Sequence, residues 1–212
     1  VLLHRGPQAV GVQPRDVVSL LLPLMPQAFY ALYGTQAAGI ANPVNSFLEA
    51  GQIAHILRAA RTKVLITLGP AEGFNTWEKV RLFRDDLPDL KAILVVGSSG
   101  LQPEGTLDFD ALVAEQPADR LVSGRVIESA DVASYYHTGG TTGLPQLVPL
   151  THGNQVYQAW GMALMFRTRP ASTVRSTNGL NGWSTKARSK PSFSTSSAIA
   201  NSSGWYPWAN EN

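Results

Sequence analysis

Between Tyr135 and Asn154 the chain gathers residue types suited to holding an anion. The run Thr138-Gly139-Gly140-Thr141-Thr142-Gly143 sets three glycines and three hydroxyls within six positions, after a β-prone stretch and before a short apolar run and a helix start. Glycine has no Cβ, so it takes positive φ and lets a ligand or another backbone approach closely. Successive N–H groups exposed in such a turn form an anion-binding concavity. Threonine hydroxyls donate to phosphate oxygens and suit a hard cation such as Mg²⁺, which takes oxygen ligands and usually sits on phosphate. Pro145 holds φ near −65° and biases Leu144 toward extended geometry, so the run leaves into a strand. The same composition fits a Gly/Thr-rich turn with no ligand, and composition alone does not separate the two.

The order of the residues carries more information. A Walker loop requires Gly-x-x-x-x-Gly-Lys-[Ser/Thr] and a Rossmann turn requires Gly-x-Gly-x-x-Gly opening into a helix; neither is present. Instead, Thr138 to Asn154 closely resembles the phosphate-loop signature of the adenylate-forming enzymes, the group of acyl-CoA synthetases, peptide-synthetase adenylation domains and luciferases. Its usual form reads Thr-Ser-Gly-Thr-Thr-Gly-x-Pro-Lys-Gly-Val, with Thr-His-x-Asn shortly after. Here Gly139 replaces Ser, and His137 to Gly143 is similar to a variant of fatty-acid-type acyl-CoA synthetases. Gln146 stands where the family has Lys, which removes the charge-assisted part of a phosphate contact, about 1–2 kcal/mol. The resemblance implies that Thr138, Gly139, Gly140, Thr141, Thr142, Gly143 and Gln146 contact the phosphates of ATP. It extends to Gly11–Val18, similar to the family's Gly-Val-x-x-Gly-Asp-x-Val stretch, and to Ala38–Asn45, similar to its Ala-Gly to Pro-x-Asn segment. Roughly residues 11–166 are covered.

The activity so implied is that of an ATP-dependent acid:CoA ligase. A carboxylic acid, of fatty type, attacks the α-phosphate of ATP to give acyl-adenylate and pyrophosphate, and coenzyme A then forms the thioester, with Mg²⁺ on the phosphates. Two other readings stay open: a catalytically silent nucleotide-binding or interaction module derived from that fold, and a nonfunctional truncated product. The family's adenine, ribose and metal elements and its catalytic lid lysine would lie beyond residue 166, so no catalytic residue and no metal ligand is assigned. Lys186 and Lys190 receive no role. His137, at a strand end, reads as a packing or hydrogen-bonding residue. His152 and Asn154 read as helix-capping or structural residues at least as readily as substrate contacts. Phe29, Tyr30, Tyr33 and Trp77, at helical spacing, are expected in the core. His4 and His55 are isolated, and no Ser-His-Asp arrangement can be argued.

Several elements must position the glycine run. Val17–Leu22, Lys63–Leu68, Ala92–Gly97 and Val132–His137 read as strands. Pro26–Ala38, stopped by Gly39, and Phe47–Ala60 read as helices, with shorter ones at Trp77–Phe83 and Asp108–Glu115. Ile40–Asn45 reads as a turn-rich link, and Glu49 as support for an early helical turn. Near-continuous apolar strands alternating with helices imply an α/β fold with a mostly parallel sheet and helices on both faces. With the resemblance, this is an incomplete N-terminal part of an adenylate-forming domain. In such sheets ligands sit beyond the carboxyl ends of the strands, which is where the glycine run falls.

At 212 residues and 44% hydrophobic composition the chain has material for one fair-sized core. It has no cysteine, which excludes disulfides and thiolate metal sites. The longest apolar run, Val17 to Met25, is broken by Pro23 and is far short of the ~20 residues that span a bilayer. The first residue is Val1, so targeting is not read from this end, and a cytoplasmic location is the expectation. Charge is uneven: residues 1–166 hold 11 Lys/Arg and 14 Asp/Glu, whereas 167–212 hold 6 and 1. The basic end lacks the amphipathic face that a nucleic-acid or membrane contact needs, so neither partner is expected. Residues 167–212 are rich in Ser, Thr and Asn without periodicity, and read as a disordered or out-of-frame tail beyond a partial domain spanning 1–166.

Overall fold

The computed structural model describes residues 10–97, 102–117, 125–138 and 145–165, and the backbone of 174–176 and 183–185. Residues 1–161 form one compact unit and 162–212 another. In the first, seven strands make one sheet: β1 (Val17–Leu21), β2 (Ile40–Pro43), β3 (Thr62–Leu68), β4 (Ala92–Val96), β5 (Leu107–Asp108), β6 (Val132–His137) and β7 (Leu147–Thr151). Their order across the sheet is β5-β4-β3-β1-β2-β6-β7. Every adjacent pair is parallel except the last, β6 and β7. In the second unit, β8 (Val174–Ser176) and β9 (Trp183–Thr185) form an antiparallel pair.

The strand alternation divides the core into two layers, as a sheet covered on both faces requires. Val18, Leu20, Val64, Ile66, Leu94 and Val96 face α1 (Pro26–Ala38), with its Ala31 and Ala38, and α4 (Phe109–Ala114), with Phe109 and Leu112. Leu21, Leu65, Ile93 and Val95 face α2 (Ala50–Ala59), with Ile53, Ile56 and Leu57, and α3 (Thr76–Arg81), with Trp77 and Val80. The doubly covered, mostly parallel sheet expected from the sequence is thus present.

Two local expectations are corrected. Ile40–Pro43 is a strand, not a link: it pairs with β1 from Val17↔Ile40 to Leu20↔Pro43. Its turn-forming residues misled because Asn42 is fully buried and bonded inside the sheet, while Pro43 ends the strand beyond the Ala41↔Ser134 pairing with β6. Among the predicted core aromatics Trp77 is buried, but Phe29, Tyr30 and Tyr33 are 47%, 63% and 64% exposed. Helix α1 is apolar nearly all round, and it turns its small side, Ala31, Thr35 and Ala38, to the sheet. Its turn to β2 passes so close to the preceding chain that a Cβ at Gly39 would lie 2.6 Å from Asp16 O and 2.9 Å from Val12 Cγ1.

The other helix ends follow from local side chains. Glu49 is the N-cap of α2, with Gln52 Oε1 accepting the Glu49 N–H at 3.2 Å, so α2 starts at Ala50, three residues later than the apolar pattern indicates. Asp108 Oδ1 accepts from Ala111 N at 2.9 Å and starts α4.

Candidate functional site

The hairpin of β6 and β7 carries the glycine run. Tyr135, Tyr136 and His137 face Pro149, Val148 and Leu147 across it. Strand β7 ends the sheet, and Pro149 is suited to that edge because it has no N–H to offer a further strand. At the tip Thr138 N donates to Gln146 O at 2.9 Å, and Gln146 N donates to Thr138 Oγ1 at 3.1 Å. These two bonds form a neck. Of the seven residues predicted to contact phosphate, Thr138 and Gln146 are therefore brought together. Gly139, Gly140, Thr141, Thr142 and Gly143 lie outside the described residues. Thr138 Oγ1 accepts at the neck and keeps its own proton to donate. Since β6 runs parallel to β2, the neck sits beyond the carboxyl edge of the parallel strands.

Neighbouring segments hold the neck. Asn45 N donates to His137 Nε2 at 3.3 Å, which places the ring proton of the neutral imidazole on Nδ1. His137 is thus a hydrogen-bonding residue, as its strand-end position implied. The segment after β2 is itself clamped: Asn45 Oδ1 accepts from Phe47 N at 2.9 Å, and Lys79 Nζ donates to Ser46 O at 3.0 Å and Leu48 O at 2.9 Å. Deeper in β6, fully buried Ser134 accepts at Oγ from Gln36 Nε2 of α1 at 2.8 Å. It also accepts from Gln155 Nε2 at 3.2 Å, on α5 (His152–Met165).

Helix α5 begins as β7 ends. Thr151 Oγ1 accepts from Asn154 N at 3.1 Å and Asn154 Oδ1 accepts from Thr151 N at 3.0 Å, a reciprocal cap. The Thr-His-x-Asn sequence therefore caps this helix. His152 N donates to Asp131 O at 2.9 Å and Gly153 N to Ser129 O at 2.8 Å. A Cβ at Gly153 would lie 2.9 Å from that same Ser129 oxygen. Burial lowers the His152 pKa, the Arg125 charge lowers it further, and Asp131 opposes both.

Beside the neck an apolar cleft of about 330 Å³ lies among Leu20, Leu22, Phe29, Leu32, Val44 and Tyr136. A more polar cleft of about 310 Å³ contains Arg15, Arg61 and Lys63. Asp89 takes both Arg61 at 3.4 Å and Lys63 at 3.1 Å, so much of its positive charge is already matched. Hydrogen bonds from Lys63 and then Arg61 hold the Asp89 carboxyl below its ordinary pKa. Among the described residues no group of His, Cys, Asp or Glu is arranged to hold a metal. Hydroxyl oxygens such as that of Thr138 fit Mg²⁺ only as an ion carried on phosphate.

Residues 6–178 match the family described as AMP-binding enzyme. The chain belongs to that family. A marinolic acid–CoA ligase from Pseudoalteromonas sp. is 28% identical over 79% of this chain and 25% of its own length. A crotonobetaine/carnitine–CoA ligase from Citrobacter koseri is 30% identical over 74% of this chain and 30% of its own. An acetoacetyl-CoA synthetase structure from Streptomyces lividans superposes with a TM-score of 0.67 at 28% identity, over 76% of this chain and 26% of that one. The chain thus spans between a quarter and a third of the length of these AMP-binding relatives.

The supports of the neck escaped the sequence reading. Gln36 and Ser134 are 98 positions apart, and Asn45 and His137 are 92 apart. No local pattern joins such pairs. The one signal available was a glutamine at the inward side of an otherwise apolar helix, beside Thr35 and Ala38.

Proposed function

We propose that this chain forms the phosphate-holding part of an ATP-dependent acid:CoA ligase. The observation that carries the reading is the Thr138–Gln146 neck at the carboxyl edge of a parallel sheet, within the region that matches the AMP-binding family. The backbone N–H groups and hydroxyls of Gly139, Gly140, Thr141, Thr142 and Gly143 hold the β and γ phosphates of ATP, and Thr138 directs its hydroxyl proton toward them. Mg²⁺ arriving on the nucleotide neutralises phosphate charge. The carboxylate of the acid attacks the α-phosphate, pyrophosphate leaves, and coenzyme A takes the acyl group with release of AMP. The apolar cleft beside the neck supports an acid with an apolar, fatty-type tail. Among the described residues no helix is long and apolar enough to cross a membrane.

A second reading is favoured by one residue. Gln146 has an exposed, uncharged side chain where the resemblance calls for Lys, which supports a nucleotide-binding module without catalysis. The composition of residues 167–212 supports reading them as a disordered or out-of-frame tail, although the family match runs on to residue 178. Recovering the coding sequence around Phe166 tests that: a shifted frame restoring the family's Leu-Pro-x-x-His segment is expected.

Calorimetry of the 212-residue chain with Mg²⁺ and ATP tests the main proposal. Saturable binding is expected, abolished by Thr141→Ala/Thr142→Ala. Gln146→Lys is expected to tighten it roughly 5- to 30-fold, the value of the restored charge-assisted bond. Absence of binding in every version rejects a nucleotide role for this chain.

A further inference from the structure

We infer that Ser134 is the positioning residue of the phosphate-holding hairpin, an inference that rests on the functional reading above. Four attachments meet at this residue. Its backbone pairs with Ala41 of β2 and with Leu150 of β7, and its hydroxyl takes the Gln36 amide from the last turn of α1 and the Gln155 amide from the first turn of α5. A serine oxygen has two acceptor sites, and two helices on one side of the sheet fill both. Ser134 is fully buried, so water does not compete for either site.

The consequence follows from where the two arms of the hairpin are anchored. Strand β6 carries Ser134 itself, four residues before Thr138 and so about 13 Å along an extended chain. Strand β7 runs directly into α5, whose cap and Gln155 return the chain to the same hydroxyl. Besides their direct pairing, both arms of the neck thus connect to one oxygen, and through Gln36 to α1. Backbone donors bind phosphate well only when they converge, and displacements of about 1 Å at such groups are costly. An apolar contact would fill the same space. The amide–hydroxyl–amide junction on buried Ser134 adds directionality, which fixes one arrangement of helix, strand and loop.

The test uses the full chain with Mg²⁺ and ATP, and reads amide hydrogen exchange at Thr138 and Gln146 alongside calorimetric affinity and Tm. Ser134→Ala takes the shared acceptor from the buried Gln36 amide and the half-buried Gln155 amide, so it is expected to lower Tm, to speed exchange at both neck amides at least tenfold beyond the shift in global exchange, and to weaken MgATP at least tenfold. Ser134→Ala/Gln36→Leu/Gln155→Leu removes the unpaired amides. It is expected to recover Tm while exchange stays fast and affinity stays low. Recovery of all three together, or a fall in Tm with unchanged neck exchange, would show a purely structural role and overturn the inference. If the wild-type chain binds no MgATP but neck exchange responds as stated, the phosphate reading fails and the positioning role stands.

Discussion

At the scale of single residues, close backbone approach decides more than side-chain chemistry. Gly39 is needed because the 13–16 turn lies against it, with Ile40 N donating to Asp16 O at 2.9 Å. An alanine methyl there meets a carbonyl oxygen that is part of the sheet pairing and has nowhere to move. Gly39→Ala is therefore expected to cost about 2 kcal/mol or more in denaturant unfolding, in the range of core overpacking, whereas Gly51→Ala, with open space at its Cβ, should stabilise or change little. Buried polar residues show the same selectivity. Asn42 Nδ2 donates to Ser19 Oγ at 2.8 Å, Ser19 lies 2.7 Å from Thr62 Oγ1, and Thr62 donates to Leu57 O at 2.9 Å. The final acceptor fixes every proton in this relay, which explains why asparagine and serine sit in the centre of an otherwise apolar sheet.

At the scale of elements, helix α5 depends on its first turn. It has no buried residue, so its packing contributes little and its cap correspondingly more. His152 lies in that turn with a pKa lowered by burial and then by the Arg125 charge. The folded value lies below the ordinary 6.5, so the unfolded chain binds the proton more readily. Stability contributed by neutral His152 is then complete above pH 6.5 and falls as pH drops through the interval down to the folded pKa. Thermal melts across pH 5–8 are expected to show this loss on the acid side, and His152→Gln should flatten the slope. Asp131, lowered first by its backbone bond from Glu128, loses stability in the same direction as pH falls, but only below its ordinary 3.8, so the two effects separate.

At the scale of the whole first unit, stability resides in the two layers around β1, β3 and β4, and not in the hairpin that carries the candidate site. Ile56, Leu57 and Leu65 are fully buried, while Val156, Tyr157 and Trp160 of α5 are 70%, 57% and 56% exposed. Ile56→Ala is expected to cost about 2–5 kcal/mol in denaturant titration, and Val156→Ala less than about 0.5 kcal/mol. Equal costs for the two would mean that α5 is packed as part of the core. The separation suits a binding element, because a loop must reach its ligand from a rigid frame that remains folded whether or not the ligand is bound.

The sequence by itself determined the period of the apolar residues, and with it the alternation of strands and helices, the parallel sheet and the place of the glycine run after β6. Those properties depend on neighbours within a turn or a strand, so they are written locally. The capping role of Asn154 was legible for the same reason, although its partner is Thr151 and not His152. Tertiary structure decided what depends on distant partners. Ile40–Pro43 became a strand because β1 and β6 flank it, despite its turn-forming residues. The aromatic side of α1 faced outward because its small residues pack closer to the sheet. Ser134 gained its two amides from residues 98 positions before it and 21 after it. Pairing across such separations leaves no periodic trace in the chain, since its energy exists only once the sheet has brought the partners together.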